Sequence, residues 1–349
     1  MNDTIDVRPG EALTSPALEP YLRAHLPAAN GAYSVRQFGG GHANLTYLVR
    51  FGELEYVLRR PPHGPLPVGA HDMRREYTVL SNLHRSFAHA PRAFVLCTDR
   101  NVFDVDFVVM ERRRGTVIRS ELPAAFVGNE KLCRRLAENF VDTLAALHAV
   151  DYEAIGLASL GKPERYLERQ LDGWIKRWDA AQTPGRADAT GLVAQLRERL
   201  PQSGAPALVH NDYKLDNTIV DDADLASLVA VLDWDMCTIG DPLVDLGYVL
   251  SLWAQPGEHA SIGVGTMPTG RPGFLSRDAL TERYAWASGR DVSRIAWYRA
   301  FNLFRYAAIA QQIYARFVRG QTQDERFRQF DRGVAQLIAD GTSLADGGL

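Results

Sequence analysis

Residues 208–220 read LVHNDYKLDNTIV. Apolar, β-prone ends enclose His210, Asp212, Lys214, Asp216 and Asn217. Such a stretch is either a polar turn whose side chains cap their own backbone or a loop that grips something charged. The residue types suit phosphoryl transfer. That chemistry needs an acceptor hydroxyl aimed and deprotonated, one or two magnesium ions against the phosphate oxygens, and a cation to steady the transferring group. Magnesium demands hard oxygen ligands in near-octahedral array, and Asp and Asn in a tight loop supply them.

The spacing is more specific than the composition. A kinase catalytic loop carries His-x-Asp with an Asn five residues after the Asp. His210, Asp212 and Asn217 meet that template, and Lys214 stands two residues past the Asp, where a cation faces the γ-phosphate. A second carboxylate should come from a neighbouring strand. VAVLDWD supplies it: Asp233 follows four apolar residues and projects from the strand's end as the main metal ligand. Asp235 shares its face in extended chain and is the weaker candidate.

These residues need elements to hold them. VRQF, LTYLVRF and EYVLRR within residues 33–60 read as consecutive antiparallel strands with Gly-rich or Gly-Glu breaks. Residues 71–87 are helical, with Met73, Tyr77, Leu80, Leu83 and Phe87 at spacings of three and four. RAFVLCTD and VDFVVME add two strands, so residues 33–111 form a small sheet with one embedded helix. From there the pattern turns helical: 131–150, 163–180, 192–200 and roughly 277–340, with 297–318 as a packed central helix. Residues 1–17 read as a mobile arm. The predicted class is α+β, with domains at 1–111 and 112–349.

With 349 residues and 46% apolar content the chain has material for a substantial core. A formal net charge of -3 advertises neither nucleic acid nor an anionic membrane as partner. Cys97, Cys133 and Cys237 are widely spaced, so neither a disulfide framework nor a structural zinc site is implied. No apolar run reaches the roughly 18 residues of a membrane span, and the polar beginning MNDTIDVRPG lacks a secretory pattern; a cytoplasmic location is expected. Monomer and dimer both stay open.

HNDYKLDN resembles the catalytic loop of the aminoglycoside phosphotransferase superfamily, small-molecule kinases with a protein-kinase-like fold. VLDWDMCTIGDPLVDL resembles its metal-binding segment. FGGGHANLTYLV, YVLRRPPHG and AHDMRREYTVL resemble the branch related to the kinase-like domains of acyl-CoA dehydrogenase fusion proteins. The resemblance covers roughly residues 30–320. It implies a two-lobed fold with a small antiparallel-sheet lobe and a larger helical lobe, and ATP or another NTP with Mg2+ between the lobes. It makes Asp212 the base, Asn217 and Asp233 the metal ligands, and His210 the residue that holds the loop. Arg59 stands in the place of the phosphate-contacting strand lysine, and Glu76 in that of its partner. Met110, Glu111 and Arg112 match the adenine-binding hinge. Arg for Lys is a departure; an Arg still bridges phosphate and carboxylate with fixed fork geometry. Arg60 is the alternate, although it points to the other strand face.

In FGGGHANLTY, Gly40 and Gly41 permit close backbone approach to phosphates, with Asn44 or His42 as hydrogen-bond partner; a simple flexible hairpin is the plainer account. Neither a Walker nor a Rossmann pattern is present. Asp241 and Asp245 read as structural, Asp241 as a helix cap before Pro242 and Asp245 as a brace for the loop. His148 reads as a packed helix-end histidine, Cys237 as a small buried filler, and tryptophans 174, 178, 286 and 297 mostly as core. The expected activity is phosphate transfer from an NTP to a hydroxyl of a small molecule, with a hydroxyacyl thioester as one acceptor class. The rivals are a catalytically silent nucleotide-binding module and a metal-dependent phosphohydrolase.

Overall fold

Alternation of apolar residues builds the sheet. In LTYLVRF and LEYVLRR every second side chain faces one side, so each strand presents an apolar stripe to each layer that covers it. The computed structural model describes residues 3–40, 44–62, 72–258 and 265–347. The chain divides into two compact units, one made of Met1–Gly115, Asp151–Leu160 and Val229–Cys237, the other of Thr116–Val150, Gly161–Leu228 and Thr238–Leu349.

In the first unit the elements run β1 (Thr4–Ile5), α1 (Leu18–His25), β2 (Tyr33–Phe38), β3 (Leu45–Phe51), β4 (Leu54–Arg60), α2 (Met73–Leu83), β5 (Ala93–Cys97) and β6 (Phe107–Glu111). The sheet order is β1-β2-β3-β4-β6-β5, and every pairing is antiparallel. On one face Tyr47, Val49, Phe51, Tyr56, Leu58, Phe107 and Val109 form a core with Leu18 and Leu22 of α1. α2 packs with β5 and β6, starting at Asp72, whose carboxylate accepts the Arg75 N–H at 3.1 Å. Its buried stripe is Met73, Glu76, Val79, Leu80 and Leu83. Tyr77, expected in that stripe, is only partly buried, and a glutamate sits inside instead.

The N-terminal segment departs from the expected mobile arm. Thr4 and Ile5 pair with Phe38 and Gln37, the Arg8 N–H donates to Gln37 Oε1 at 2.9 Å, and the Tyr47 hydroxyl donates to the Glu11 carbonyl at 2.6 Å. Polar side chains pin this edge, which an apolar-periodicity reading does not see.

The second unit contains α3 (Glu130–His148), α4 (Tyr166–Ala180), α5 (Thr190–Glu198), β7 (Ala207–Val209) and β8 (Thr218–Val220). β9 (Leu228–Val231) leads into the 229–237 segment of the first unit. Then follow β10 (Thr238–Gly240), α6 (Leu243–Leu252), α7 (Arg277–Ser288), α8 (Ile295–Val318) and α9 (Phe330–Asp346). β10, not expected from the sequence, pairs antiparallel with β7, Thr238 opposite Val209. α8 is the central packed helix; Trp297, Phe301, Phe304 and Ala307 are fully buried. α6 lies tightly on it: a Cβ on Gly247 would meet the Tyr298 backbone at 2.7 Å, so glycine permits the close approach. Trp174, Trp178 and Trp297 are core, but Trp286 of α7 is 80% exposed. The three cysteines are buried and form no disulfide. Among the described residues, no helix is long and apolar enough to cross a membrane.

Candidate active site

In the second unit, β7 ends at Val209 and the loop from His210 to Asn217 is folded back by its own side chains. The Asp245 carboxylate of α6 accepts the His210 N–H at 2.6 Å and the Asn211 N–H at 2.7 Å, so it braces the loop. Asn211 takes a left-handed turn at φ 66°, its carbonyl held by Arg305 at 2.8 Å. His210 is fully buried and accepts the Asp212 N–H at Nδ1, 3.2 Å away, which places the ring proton of the neutral form on Nε2. Asp212 Oδ2 accepts from Asn217 Nδ2 at 2.7 Å, and its carbonyl accepts from the same nitrogen at 2.9 Å. Asp212 Oδ1 lies 3.3 Å from the Lys214 ammonium and accepts the Tyr248 hydroxyl. Lys214 also lies 3.8 Å from Asp216, whose carboxyl is pushed up by burial. The loop thus gathers Lys214 and Asn217 around the Asp212 carboxylate, with His210 holding the Asp212 backbone N–H.

Asp241 caps α6, accepting the Leu243 N–H at 3.0 Å and the Tyr298 hydroxyl at 2.8 Å. His148 joins Tyr284 at 2.7 Å and Asp245 at 3.3 Å with no exposed surface; it is structural, one step behind the brace. Burial lowers its pKa, against the pull of Asp245. The unfolded value is about 6.5, so the folded protein binds fewer protons below it. This contribution is present above about pH 6.5 and is lost as pH falls toward the folded value. His148→Asn is therefore expected to flatten the fall in melting temperature between about pH 7 and pH 5, read by calorimetry. An unchanged slope would exclude His148 as its source.

In the first unit, strand alternation sends Arg59 and Arg60 to opposite faces. Arg60 enters the α1-side core, with Nε 3.3 Å from the Tyr47 hydroxyl and its guanidinium 5.5 Å over the Phe103 ring. Arg59 faces α2 and pairs with Glu76, which is fully buried. Its second nitrogen donates to Asp233 Oδ1 at 2.7 Å. Asp233 is brought there by the 229–237 segment: the Val231 N–H donates to the His89 carbonyl at 2.8 Å, buried Trp234 meets Phe87 edge-on at 6.1 Å, and Arg75 reaches the Cys237 carbonyl at 2.9 Å. Asp233 has φ 69°, a turn that separates it from Asp235, which accepts from Asn44 at 3.3 Å. Burial would lower the Arg59 pKa, but Glu76 and Asp233 outweigh it and raise it. Complete burial pushes the Glu76 carboxyl up to about 7 against the pull of Arg59, with Asp233 and Asp235 adding to the rise.

Gly40 sits exposed in the turn after β2; Gly41 and His42 lie outside the described residues. Met110 is buried in β6. The Glu111 N–H is engaged by the Arg92 carbonyl at 2.8 Å. Arg112 pairs with Asp3 and stacks 4.9 Å over Phe38, so its side chain is tied to the N-terminal edge.

Each unit carries oxygen donors of the kind magnesium takes. In the second, Asn217 commits its nitrogen to Asp212, which leaves its amide oxygen uncommitted to that contact; in the first, Asp233 carries a carboxylate. Among the described residues no three His, Cys, Asp or Glu side chains cluster to hold a metal, and magnesium is commonly held by one or two protein ligands with phosphate and water completing the shell.

Three residues near the loop escaped the sequence reading: Tyr248, Tyr306 and Arg305. Tyr248 was within reach. It lies three residues after Asp245 on α6, hence on the same helix face.

A model of the phosphotransferase enzyme family matches residues 34–267. Acyl-CoA dehydrogenase family member 11 of Gallus gallus is 31% identical over 354 residues, covering 98% of this chain and 45% of its own length. The chain thus spans less than half of the curated relatives it matches. A crystal structure from Ralstonia eutropha JMP134, provisionally assigned as an aminoglycoside phosphotransferase, superposes with a TM-score of 0.82 at 29% identity, covering 95% of this chain and 98% of that one. A thermostable mutant of aminoglycoside phosphotransferase APH(4)-Ia, in ternary complex with ADP and hygromycin B, shares the fold with a TM-score of 0.56 at 15% identity over 93% of this chain and 98% of that one.

Proposed function

Because the chain belongs to the phosphotransferase enzyme family, we propose that it transfers the terminal phosphoryl group of ATP, or another NTP, to a hydroxyl of a small molecule. The observation that carries this reading is the Asp212 carboxylate, oriented by Asn217, Lys214 and Tyr248. A carboxylate so held is fit to take a hydroxyl proton. Lys214, 3.3 Å from Asp212, is the cation proposed to face the γ-phosphate. Arg59, shared by Glu76 and Asp233, is a fixed fork for phosphate oxygens. Gly40, Gly41 and Asn44 remain candidates for the phosphate-facing turn, and Met110, Glu111 and Arg112 for the adenine side. Asn217 and Asp233 would hold Mg2+, which when bound neutralises phosphate charge. A cytoplasmic location goes with this reading.

A hydroxyacyl thioester is the proposed acceptor class, supported by relatives named as acyl-CoA dehydrogenase family members. A silent nucleotide-binding module has no use for an oriented base. A phosphohydrolase has no use for an Arg59–Glu76 pair. The test is an ATP-consumption screen with magnesium against hydroxyacyl thioesters, other alcohol-bearing metabolites and antibiotics, followed by mass analysis of products. A phosphorylated acceptor is expected. Free phosphate as the sole product would favour the hydrolase, and no consumption with intact ATP binding would favour the silent module. Asp233→Asn is expected to weaken magnesium-dependent nucleotide binding about tenfold or more, read by calorimetry; equal affinity would remove Asp233 from the metal set.

A further inference from the structure

We propose that Tyr248 is a positioning residue for Asp212, and that Arg305 fixes both partners of that contact. The proposal rests on Asp212 being the base. The Tyr248 hydroxyl donates to Asp212 Oδ1, while Asn217 holds Oδ2. Donors on opposite oxygens set the plane of the carboxylate; Lys214 also lies 3.3 Å from Oδ1, but as a point charge on a flexible stem it fixes that plane less than a packed phenol does.

Tyr248 is itself held. Its ring packs on Tyr306 with centroids 5.2 Å apart. The Arg305 guanidinium lies 5.1 Å over the Tyr248 ring and 5.3 Å over Trp174. Arg305 is 4% exposed, and among the described residues it has no carboxylate partner. Its Nη2 donates to the carbonyl of Asn211, the left-handed residue directly before Asp212. One buried cation therefore fixes the backbone that delivers the base and the ring that orients it. Burial, then the nearby Asp212 charge, pushes the Tyr248 hydroxyl far above its ordinary pKa, so it stays a donor across the working range.

Chain geometry makes Tyr248 part of a single device. Asp245 and Tyr248 stand three residues apart on one face of α6, and Asp241 precedes the helix. Asp241 caps α6, Asp245 grips the backbone of His210 and Asn211, and Tyr248 reaches the Asp212 side chain. α6 thus sets the loop and its functional group together.

The test is a double-mutant cycle on the full chain, with water as the acceptor, so that no acceptor need be known: phosphate release from MgATP under single-turnover conditions. Tyr248→Phe keeps the ring and removes the hydroxyl. It is expected to lower the rate about tenfold with AMP-PNP affinity unchanged. Asp212→Asn lowers it further, and adding Tyr248→Phe to Asp212→Asn changes nothing more, because the hydroxyl acts only through that carboxylate. Multiplying losses would make Tyr248 merely structural and leave the base assignment intact. An Asp212→Asn variant at full rate would overturn the base reading and this proposal with it; where wild-type release is no faster than buffer, the same cycle is read on the acceptor phosphorylated in the screen above, with the same outcomes. Arg305→Lys is a second route: it keeps the charge, loses the fork, and is expected to lower the rate non-additively with Tyr248→Phe. Additive losses from that pair would separate Arg305 from the contact.

Discussion

Asp212→Asn is expected to lower acceptor phosphorylation by about 10²–10⁴-fold, the range for a positioned general base, with nucleotide affinity held within about threefold. The substitution is nearly isosteric, so the loop survives it. Asp245 still holds the backbone of His210 and Asn211, and His210 still accepts the N–H of residue 212. What is lost is the charge and one acceptor oxygen. Wild-type Asp212 receives Asn217 on one oxygen and Tyr248 with Lys214 on the other; an amide meets one side with its own donors. If the amide nitrogen faces Tyr248, the phenol reverses its role and accepts. If it faces Asn217, that side chain flips and gives up the orientation that leaves its oxygen for metal. Rate loss without binding loss is therefore the expected signature, because the carboxylate acts in the transition state and not on the bound nucleotide. Steady-state kinetics with calorimetric ADP binding reads both terms. Full activity in the variant would take the base from Asp212.

Local chemistry made the loop legible. His210, Asp212, Lys214 and Asn217 are contiguous, so a spacing template reaches them, and β alternation separated Arg59 from Arg60. The Asp241 cap was legible for the same reason, since it acts two residues along; the Asp245 brace was read from its place just after that turn, although its partners His210 and Asn211 lie 35 and 34 residues earlier. Arg305 and Tyr306 were not legible, because what brings them to Tyr248 is the crossing of α6 and α8, permitted by a glycine at 247 that a sequence reads as a weak helix position. The N-terminal edge was missed for another reason. Its attachments run through Arg8, Gln37 and Tyr47 side chains, and apolar periodicity carries no record of polar side-chain pairing. Residues 229–237 read correctly as strand then loop, but their membership in the first unit depends on contacts such as Trp234 with Phe87, made across a long sequence separation.

Arg59→Met is expected to destabilise the protein by about 3–5 kcal/mol, the cost of leaving a buried charge without its partner. An exposed pair would give about 0–1 kcal/mol. Burial decides between them: Glu76 is 0% exposed and Arg59 8%. Removing Arg59 leaves the carboxyl inside the sheet–helix layer with its nearest cation gone, and it also releases Asp233. The double variant Arg59→Met/Glu76→Leu separates the two consequences. Replacing both charges with apolar groups of similar size is often neutral, so the double variant should recover most of the lost stability in urea titrations. It should not recover nucleotide binding. If Arg59 faces phosphate, single and double variants alike should bind MgATP about 10–100-fold more weakly, the worth of a lost charge-assisted hydrogen bond or two. Stability restored with affinity still lost assigns Glu76 to holding the fork and Arg59 to using it. Affinity restored together with stability would mean that the pair is only a buried strut, and that another cation meets the nucleotide.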